Sequence, residues 1–591
     1  MKTGGAFLTT EVGQEEIFTR DKFSPEQKEI EKTVEEFAKG RILPNKQEIE
    51  KYNKDLSVQL LRECGELGLL SIDIPEKYGG LGLDKVTSAI VAEKIAYGMC
   101  SSFSATFGAH TGIGTLPIVF FGNETQKEKY LPKLATAELV SAYALTEPEA
   151  GSDALSAKTT AMLSEDKQHY ILNGSKQFIT NGSWADLFIT FAKINGEKFS
   201  GFIVERNTPG LSVGPEEHKM GIKGSSTCSV YLENAKVPKE NLLGEIGNGA
   251  AIAFNTLNIG RFKLGAATLG GCKVVLEDAL QYASQRRQFG QAIRNFDMIK
   301  GYFADMVIRT FALDSVIYRT VGLIDEAVSQ IPESAPDYHK DVAEAIERFA
   351  IEASMCKVLG SETLWLIADT GVQIYGGYGY IEEYPLASAL RDNRIDRIYE
   401  GTNEINRQII TGYFLRKALM EELPIREAVK NIEAQKLGIG SQASKAGDVL
   451  AQEKHALRIA KSLVLYVFNE AICKFGQDLR NEQQIGGGLS DMLMDLYLMD
   501  SVVSRVSQRS QTTNFDSILL AIARALCFER LYAIAITSPK ILCSLLNNRA
   551  LEKALEDLRV FVEQMLPTTN VVELKRQIAE HLYEKGKYSF D

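Results

Sequence analysis

Apolar residues recur at three- and four-residue spacing over most of this chain, and one stretch of alternating polarity interrupts them. From Ser24 to about Leu134 the period is helical: Leu56, Leu60, Leu61 and Leu67, then Val86, Ile90 and Val91, fall on single faces. Ser24-Pro25-Glu26-Gln27 supplies an N-cap, a proline at the first helical position and a capping-box glutamine. Near Val140 the period shortens. Tyr170 to Ile179 predicts a hairpin about Asn173-Gly174, and Leu187 to Ala192, Gly201 to Glu205 and Cys228 to Leu232 predict short strands. After Gly249 the long periodic runs Ala250 to Arg286, Phe296 to Val328 and Ala343 to Thr370 predict helices that must pack in a bundle. Lys436 to Gly447 is polar and glycine-bearing, the pattern of a linker or mobile loop. Beyond it Ile, Leu and Ala stripes predict helices to Asp591, interrupted at Gly486-Gly-Gly488. The pattern divides into a helical region over 1–138, a β-domain over 139–246, a helical bundle over 247–425 and an additional helical domain over 426–591. The expected fold class is mainly α with a central β-domain.

Composition narrows the class of molecule. With 591 residues, 45% hydrophobic and 24% charged, the chain has the balance of a soluble multidomain protein. A net charge of -11 argues against nucleic acid as a partner. Eight cysteines are scattered without a C-x-x-C pair and read as buried thiols in a reducing compartment. Six histidines without an H-x-x-x-H pair give no zinc pattern, and no metal is expected. No apolar run approaches the roughly 20 residues of a transmembrane helix, and the start of the chain has no signal-like core, so a cytoplasmic enzyme is expected. Ala456 to Phe468 is amphipathic, which suits either a weak membrane-surface contact through the C-terminal domain or a bundle helix.

Glu400 stands between Tyr399 and Gly401 in Ile398-Tyr-Glu-Gly-Thr-Asn-Glu404. A carboxylate takes a proton from carbon only if burial or a neighbouring charge lifts its pKa while the carbon acid is polarised. Thr402 and Asn403 are good N-caps for the apolar stripe Ile405, Ile409 and Ile410, so Glu400 alone reads as a carboxylate at a helix start. Three other segments change that: Tyr143 to Asp153 (Tyr-Ala-Leu-Thr-Glu-Pro-Glu-Ala-Gly-Ser-Asp), Phe178-Ile-Thr-Asn-Gly182 and Arg286-Arg-Gln-Phe-Gly290, followed by the glycine run Gln373-Ile-Tyr-Gly-Gly-Tyr-Gly-Tyr380.

In this order the four segments resemble the acyl-CoA dehydrogenase family, from about residue 20 to 420, and Lys219 to Ser225, Asn258-Ile-Gly-Arg261 and the helical tail look most like its very-long-chain branch. The resemblance implies an N-terminal helical domain, a β-barrel or sandwich domain and a four-helix bundle, with the tail as an extra C-terminal helical domain. It also implies FAD, a fatty acyl-CoA substrate of medium to long chain, α,β-dehydrogenation to trans-2-enoyl-CoA in fatty-acid β-oxidation, and electron-transfer flavoprotein as acceptor.

By the same resemblance Glu400 is the base, with its backbone N–H and a flavin ribityl hydroxyl holding the thioester oxygen. In some branches the base instead precedes the arginine of the long helix; here Gly260 precedes Arg261, leaving Glu400 as the candidate in place. Tyr143, Leu145, Thr146 and Ser152 match one flavin loop, and Phe178 and Thr180 a second. Arg286 and Phe289 match residues that reach a neighbouring subunit's cofactor, Gln373, Gly376 and Gly377 the dinucleotide run, and Thr402 and Glu404 the helix-start contacts. Substrate contacts map to Ser152, Ser225, Asn258, Arg261, Glu400 and Gly401; Asn258 replaces an aspartate of medium-chain relatives, and Arg261 also suits a structural salt bridge. Arg391, Arg394 and Arg397 read as a solvated or ion-paired face. Gly112 and Gly114 suit either helix packing or the floor of a deep acyl channel. The tail, placed where a second dimer would otherwise dock, implies a homodimer. An acyl-CoA oxidase using O2 and a non-catalytic scaffold that keeps the fold are the alternatives.

Overall fold

The computed structural model describes residues 3–332, 334–335, 338–425, 427–430 and 448–590, so the predicted linker over 436–447 lies outside the described residues. Helices Pro25–Phe37, Lys54–Glu66, Lys85–Ile95, Ser101–Gly108 and Glu124–Ala135 form the N-terminal layer. The capping box forms as the sequence predicts: Ser24 Oγ accepts the Gln27 N–H at 3.1 Å, and Gln27 Oε1 accepts the Ser24 N–H at 3.0 Å.

The strands that follow are β1 Ser141–Ala144, β2 Thr160–Leu163, β3 His169–Thr180, β4 Leu187–Ile194, β5 Lys198–Glu205, β6 Leu211–Glu216, β7 Thr227–Pro238 and β8 Leu242–Leu243. They pair in the order β6-β7-β3-β2-β4-β5-β8, with β1 parallel to β4. The predicted hairpin at Asn173-Gly174 is instead a bulge inside the single strand β3, whose register with β7 slips between Leu172 and Gly174. Asn173 Oδ1 accepts the Asn234 N–H at 2.8 Å, and a Cβ on Gly174 would lie 2.3 Å from Thr159 Oγ1. The asparagine therefore satisfies a bulge and the glycine admits the neighbouring backbone.

The bundle comprises Gly249–Gln285, Asp297–Val328, Ala350–Tyr375 and Asn403–Leu419. The predicted third run starts as a separate helix, Tyr338–Glu347, and breaks at Arg348-Phe349, where the Arg348 carbonyl accepts the Gly4 N–H at 3.2 Å. Helices Ala451–Phe475, Gln483–Arg509, Ile518–Leu545, Asn548–Met565 and Val571–Lys585 cover one side of it. Gly486-Gly-Gly488 does not interrupt them but lies within Gln483–Arg509. The Gly486 carbonyl accepts Thr411 Oγ1 at 2.7 Å, and a Cβ on Gly488 would lie 3.1 Å from Ile541, so these glycines bring helices close at the usual cost in propensity. Leu457, Leu463, Val464, Val467 and Phe468 are buried, which makes the amphipathic stretch from Ala456 a bundle helix and leaves it no apolar face for a membrane. Among the described residues no helix is long and apolar enough to cross a membrane. Six cysteines are buried as expected, whereas Cys473 and Cys543 lie on outward faces of their helices.

A buried ionic hub joins these layers. Asp314 accepts Arg20 Nε at 3.0 Å, Lys273 Nζ at 3.1 Å and Arg505 Nη1 at 2.8 Å; Glu93 accepts Lys273 Nζ at 3.1 Å and the Tyr318 hydroxyl at 2.6 Å, and also binds Arg20. Burial opposes ionisation of Asp314, but the three cations hold its carboxyl well below the usual carboxylate range. Removing this anion takes from Arg505 its closest buried carboxylate and leaves Arg20 and Lys273 to share Glu93. Asp314→Ala is expected to destabilise the protein by about 3–5 kcal/mol, read as a fall in the midpoint of thermal unfolding; an unchanged midpoint would refute the role of the hub.

Candidate active site

Glu400 and Gly401 are consecutive residues in left-handed backbone, with φ of 58° and 79°. Gly401 adopts that conformation freely, while Glu400 carries a cost of order 1 kcal/mol or more. The turn carries the chain from the 3-10 turn Arg394–Arg397 into helix Asn403–Leu419, whose N-cap is Thr402: its Oγ1 accepts the Ile405 N–H at 3.2 Å. Asn406 Nδ2 donates to the Gly401 and Thr402 carbonyls at 2.8 and 3.1 Å, and Arg261 Nε to the Glu400 carbonyl at 3.4 Å. Asn403 is buried and donates to Ser361 and Glu362 at 3.1 and 3.0 Å.

This turn aims the Glu400 carboxylate at the long helix. A Cβ built on Gly260 would lie 2.6 Å from Glu400 Oε2, so the absent side chain at 260 is the space the carboxylate fills. Among the described residues, the buried Oε2 has no hydrogen-bond partner and the Glu400 N–H has no acceptor. Burial raises the carboxyl to about 7, against the lowering influence of Arg261 and Lys357. Burial and the nearby Glu400 also push the Tyr143 phenol up.

Glu400, Gly260 and Thr180 line one cavity of about 200 Å³, which continues between the long helix and the N-terminal helices past Ala92, Ala105 and Ala109. Gly112 lines it with open space where a Cβ would be. Gly114 does not: its Cβ would lie 2.3 Å from Ser141 Oγ, so it is a packing glycine.

The remaining predicted residues fall into separate places. Tyr143 and Leu145 are buried on and after β1, and the Thr146 carbonyl accepts the Gln177 N–H at 2.9 Å, joining the two predicted flavin loops. Phe178 is 58% exposed in left-handed backbone, an apolar ring left open to a flat partner. Ser152 is exposed on its loop. Ser225 is fully buried and its hydroxyl donates to the Ile222 carbonyl at 2.8 Å, so that hydroxyl is committed within its own turn. Arg261 Nη1 donates to Asn258 Oδ1 at 2.7 Å, and among the described residues Arg261 forms no ion pair. Glu404 is exposed at the helix start, whose N–H groups hold it below the usual carboxylate range.

Arg286, Gly376 and Gly377 line a second cleft with Tyr282, Tyr375 and Tyr378; Gln373 is exposed nearby, and Phe289 is 93% exposed at the tip of the ribbon formed by Arg287–Gln288 and Gln291–Ala292. Open space surrounds both glycines, and Arg286 lies over Tyr378 with no carboxylate partner among the described residues. A free guanidinium beside uncrowded backbone suits a pyrophosphate, and the exposed Phe178 with the Thr146 and Thr180 loops suits a flavin ring. Sequence reasoning missed Lys357, Asn406 and the inward role of Asn403; of these only Asn403 and Asn406 carried a local signal, as amides in the first turn after Glu400.

A buried, unpartnered carboxylate facing an apolar cavity, with loops shaped for a flavin, is the arrangement of a flavin-dependent oxidoreductase. Family models of the acyl-CoA dehydrogenase N-terminal, middle and C-terminal domains match residues 24–138, 142–235 and 247–413, and a further acyl-CoA dehydrogenase C-terminal domain matches 459–559. The chain belongs to the acyl-CoA dehydrogenase family and is a flavin-dependent oxidoreductase with FAD as its cofactor. It is 44% identical over 591 residues to a probable acyl-CoA dehydrogenase of Bacillus subtilis (strain 168), covering 100% of this chain and 99% of that one. It is 35% identical over 509 residues to the mitochondrial very long-chain specific acyl-CoA dehydrogenase of Homo sapiens, covering 81% and 74%. The crystal structure of an acyl-CoA dehydrogenase from Bacillus anthracis complexed with FAD superposes with a TM-score of 0.96 at 46% identity, covering 100% of both chains.

The contact between positions 260 and 400 is directly testable. Gly260→Ala is expected to displace the carboxylate and slow flavin reduction by about 10–100-fold while FAD content stays unchanged; stopped-flow absorbance gives the rate, and a rate equal to wild type would refute the contact.

Proposed function

We propose that the protein dehydrogenates fatty acyl-CoA of medium to long chain to trans-2-enoyl-CoA in fatty-acid β-oxidation, as a cytoplasmic homodimer that passes electrons to electron-transfer flavoprotein. The observation that carries this reading is Glu400, a carboxylate raised to about 7 whose Oε2 lies free against Gly260 in the wall of an apolar cavity. Glu400 takes the α-proton, and its unengaged backbone N–H donates to the thioester oxygen as negative charge develops there. FAD, when bound, supplies the acceptor for the β-hydride. The cavity keeps water from the carboxylate, and Arg261 and Asn406 hold the carbonyls of the turn, leaving the carboxylate and the backbone N–H of Glu400 to face the substrate. Tyr143, Leu145, Thr146, Phe178 and Thr180 hold the flavin ring in this reading, and Asn258, Arg261 and Gly401 flank the thioester.

Small residues along the cavity, Ala92, Ala105, Gly108, Ala109 and Gly112, support a long acyl chain, as does the very long-chain specific relative. The dimer rests on the long helix. Gly260 lies beside Glu400, while Arg286 follows the helix end roughly 39 Å away at 1.5 Å per residue, so the cleft of Arg286, Gly376 and Gly377 serves a cofactor other than the one beside Glu400. The C-terminal helices cover the outer side of the bundle, which supports a dimer over a tetramer.

Anaerobic reduction across butyryl- to palmitoyl-CoA tests the reading. Wild type is expected to bleach with a preference for the longer chains, and Glu400→Gln to retain flavin and substrate while losing about 10²–10⁴ in rate. A steep preference for butyryl-CoA overturns the chain-length proposal, rapid peroxide release in air without an acceptor protein overturns the electron-transfer proposal, and a tetramer by light scattering overturns the dimer.

A further inference from the structure

Lys357, on helix Ala350–Tyr375, is fully buried, and its Nζ donates to the Gly401 carbonyl at 2.8 Å and to Asn403 Oδ1 at 2.7 Å. Among the described residues it forms no ion pair. Both acceptors have other donors: Asn406 Nδ2 reaches the Gly401 carbonyl at 2.8 Å, and Ser361 Oγ reaches Asn403 Oδ1 at 3.3 Å. A buried ammonium group costs more than a neutral donor would, and a glutamine here, one atom shorter, would reach these acceptors only if the turn shifted. What lysine adds over a neutral donor is charge at full reach.

We infer that Lys357 is a positioning residue for the base: its ammonium group locks the left-handed Glu400-Gly401 turn from behind and keeps a compensating positive charge beside the Glu400 carboxylate. This rests on the reading of Glu400 as the α-proton base. The groups that face Glu400 are Arg261 from the long helix, Lys357 from Ala350–Tyr375, Tyr143 from β1, and Tyr399 within its own segment. Asp396 is tied up by Asn393 and Tyr399, and Glu404 stands exposed at the helix start; both favour the charged form of Lys357. Two basic side chains thus hold the carbonyls of Glu400 and Gly401 close to one buried carboxylate. Burial brings Lys357 down to about 8, against the raising influence of Asp396 and Glu400. The turn is also anchored outward: Asn403 donates to Glu362, Glu362 accepts Arg407 at 2.9 and 3.0 Å, and Arg407 Nε reaches Asp491 on Gln483–Arg509 at 2.8 Å.

The test uses the FAD-loaded enzyme and three variants: Lys357→Arg keeps charge and donors, Lys357→Gln keeps a donor only, and Lys357→Met keeps neither. The carboxyl of Glu400 is titrated by infrared difference against Glu400→Gln, and the pH profile of anaerobic flavin reduction is recorded beside it. A lost positive charge raises a carboxyl pKa, so the Gln and Met variants are expected to move the midpoint up by about one pH unit, lowering the ionised fraction at pH 7 about fivefold. Lys357→Arg is expected to hold the midpoint within about 0.3 pH unit, at a rate nearer wild type than Gln or Met. Midpoints in Gln and Met within about 0.3 pH unit of wild type overturn the inference, as would an upward move in Arg as large as theirs. The infrared titration needs no turnover: a wild type that never bleaches with acyl-CoA defeats the proposed reaction, while the midpoints still judge Lys357.

Discussion

The site depends on keeping one carboxylate in an apolar wall. Hydration would stabilise Glu400 by far more than any single contact seen here, so the protein must both exclude water and return part of what is lost. It does this unevenly. Burial lifts the carboxyl to about 7, and Arg261 and Lys357 stop it there instead of letting it become permanently neutral. A fully paired carboxylate would be too weak a base, and an unpaired one would hold its proton at neutral pH. The free Oε2 and the two cations near the backbone side describe the compromise between those limits.

That compromise needs a rigid frame, because a left-handed glutamate relaxes if the turn is not held from several sides. The frame is distributed. Asn406 holds the turn from within its own helix, Arg261 from the long helix and Lys357 from its neighbour, and Glu362 with Arg407 ties that helix pair to Asp491 in the C-terminal helices. The ionic hub around Asp314 does the same elsewhere in the bundle, where Arg20 from the N-terminal segment and Arg505 from helix Gln483–Arg509 meet helix Asp297–Val328. The C-terminal helices are therefore part of the support of the bundle that carries Glu400.

How much of this was legible follows from the range of each signal. The capping box at Ser24 is local and reads directly from four residues. Glu400 was legible only through the other family motifs, since its own neighbourhood spells a helix start, which it also is. Asn173-Gly174 misleads because an asparagine and glycine at left-handed or strained backbone serve a hairpin and a bulge equally; the choice was made by Asn234 on the facing strand. Gly486 to Gly488 misleads because glycine lowers helix propensity while close packing against Thr411 and Ile541 outweighs it. Lys357 had no signal at all: a lysine in a helical run looks solvated, and its partners lie 44 and 46 residues further along.

The empty position at Gly260 and the occupied one at Glu400 are one constraint seen twice. The two residues are far apart in sequence, yet a side chain at 260 would begin 2.6 Å from the oxygen that Glu400 places there. A carboxylate carried at 260 would crowd into the same space, and two carboxylates in contact do not both ionise readily. Glutamate at 400 in this conformation therefore needs a small residue at 260. Substitutions at the two positions are accordingly expected to be non-additive, each changing what the other tolerates. The left-handed backbone of Glu400 fits the same logic: it is the conformation that delivers a carboxylate from the following turn into space that the long helix leaves open.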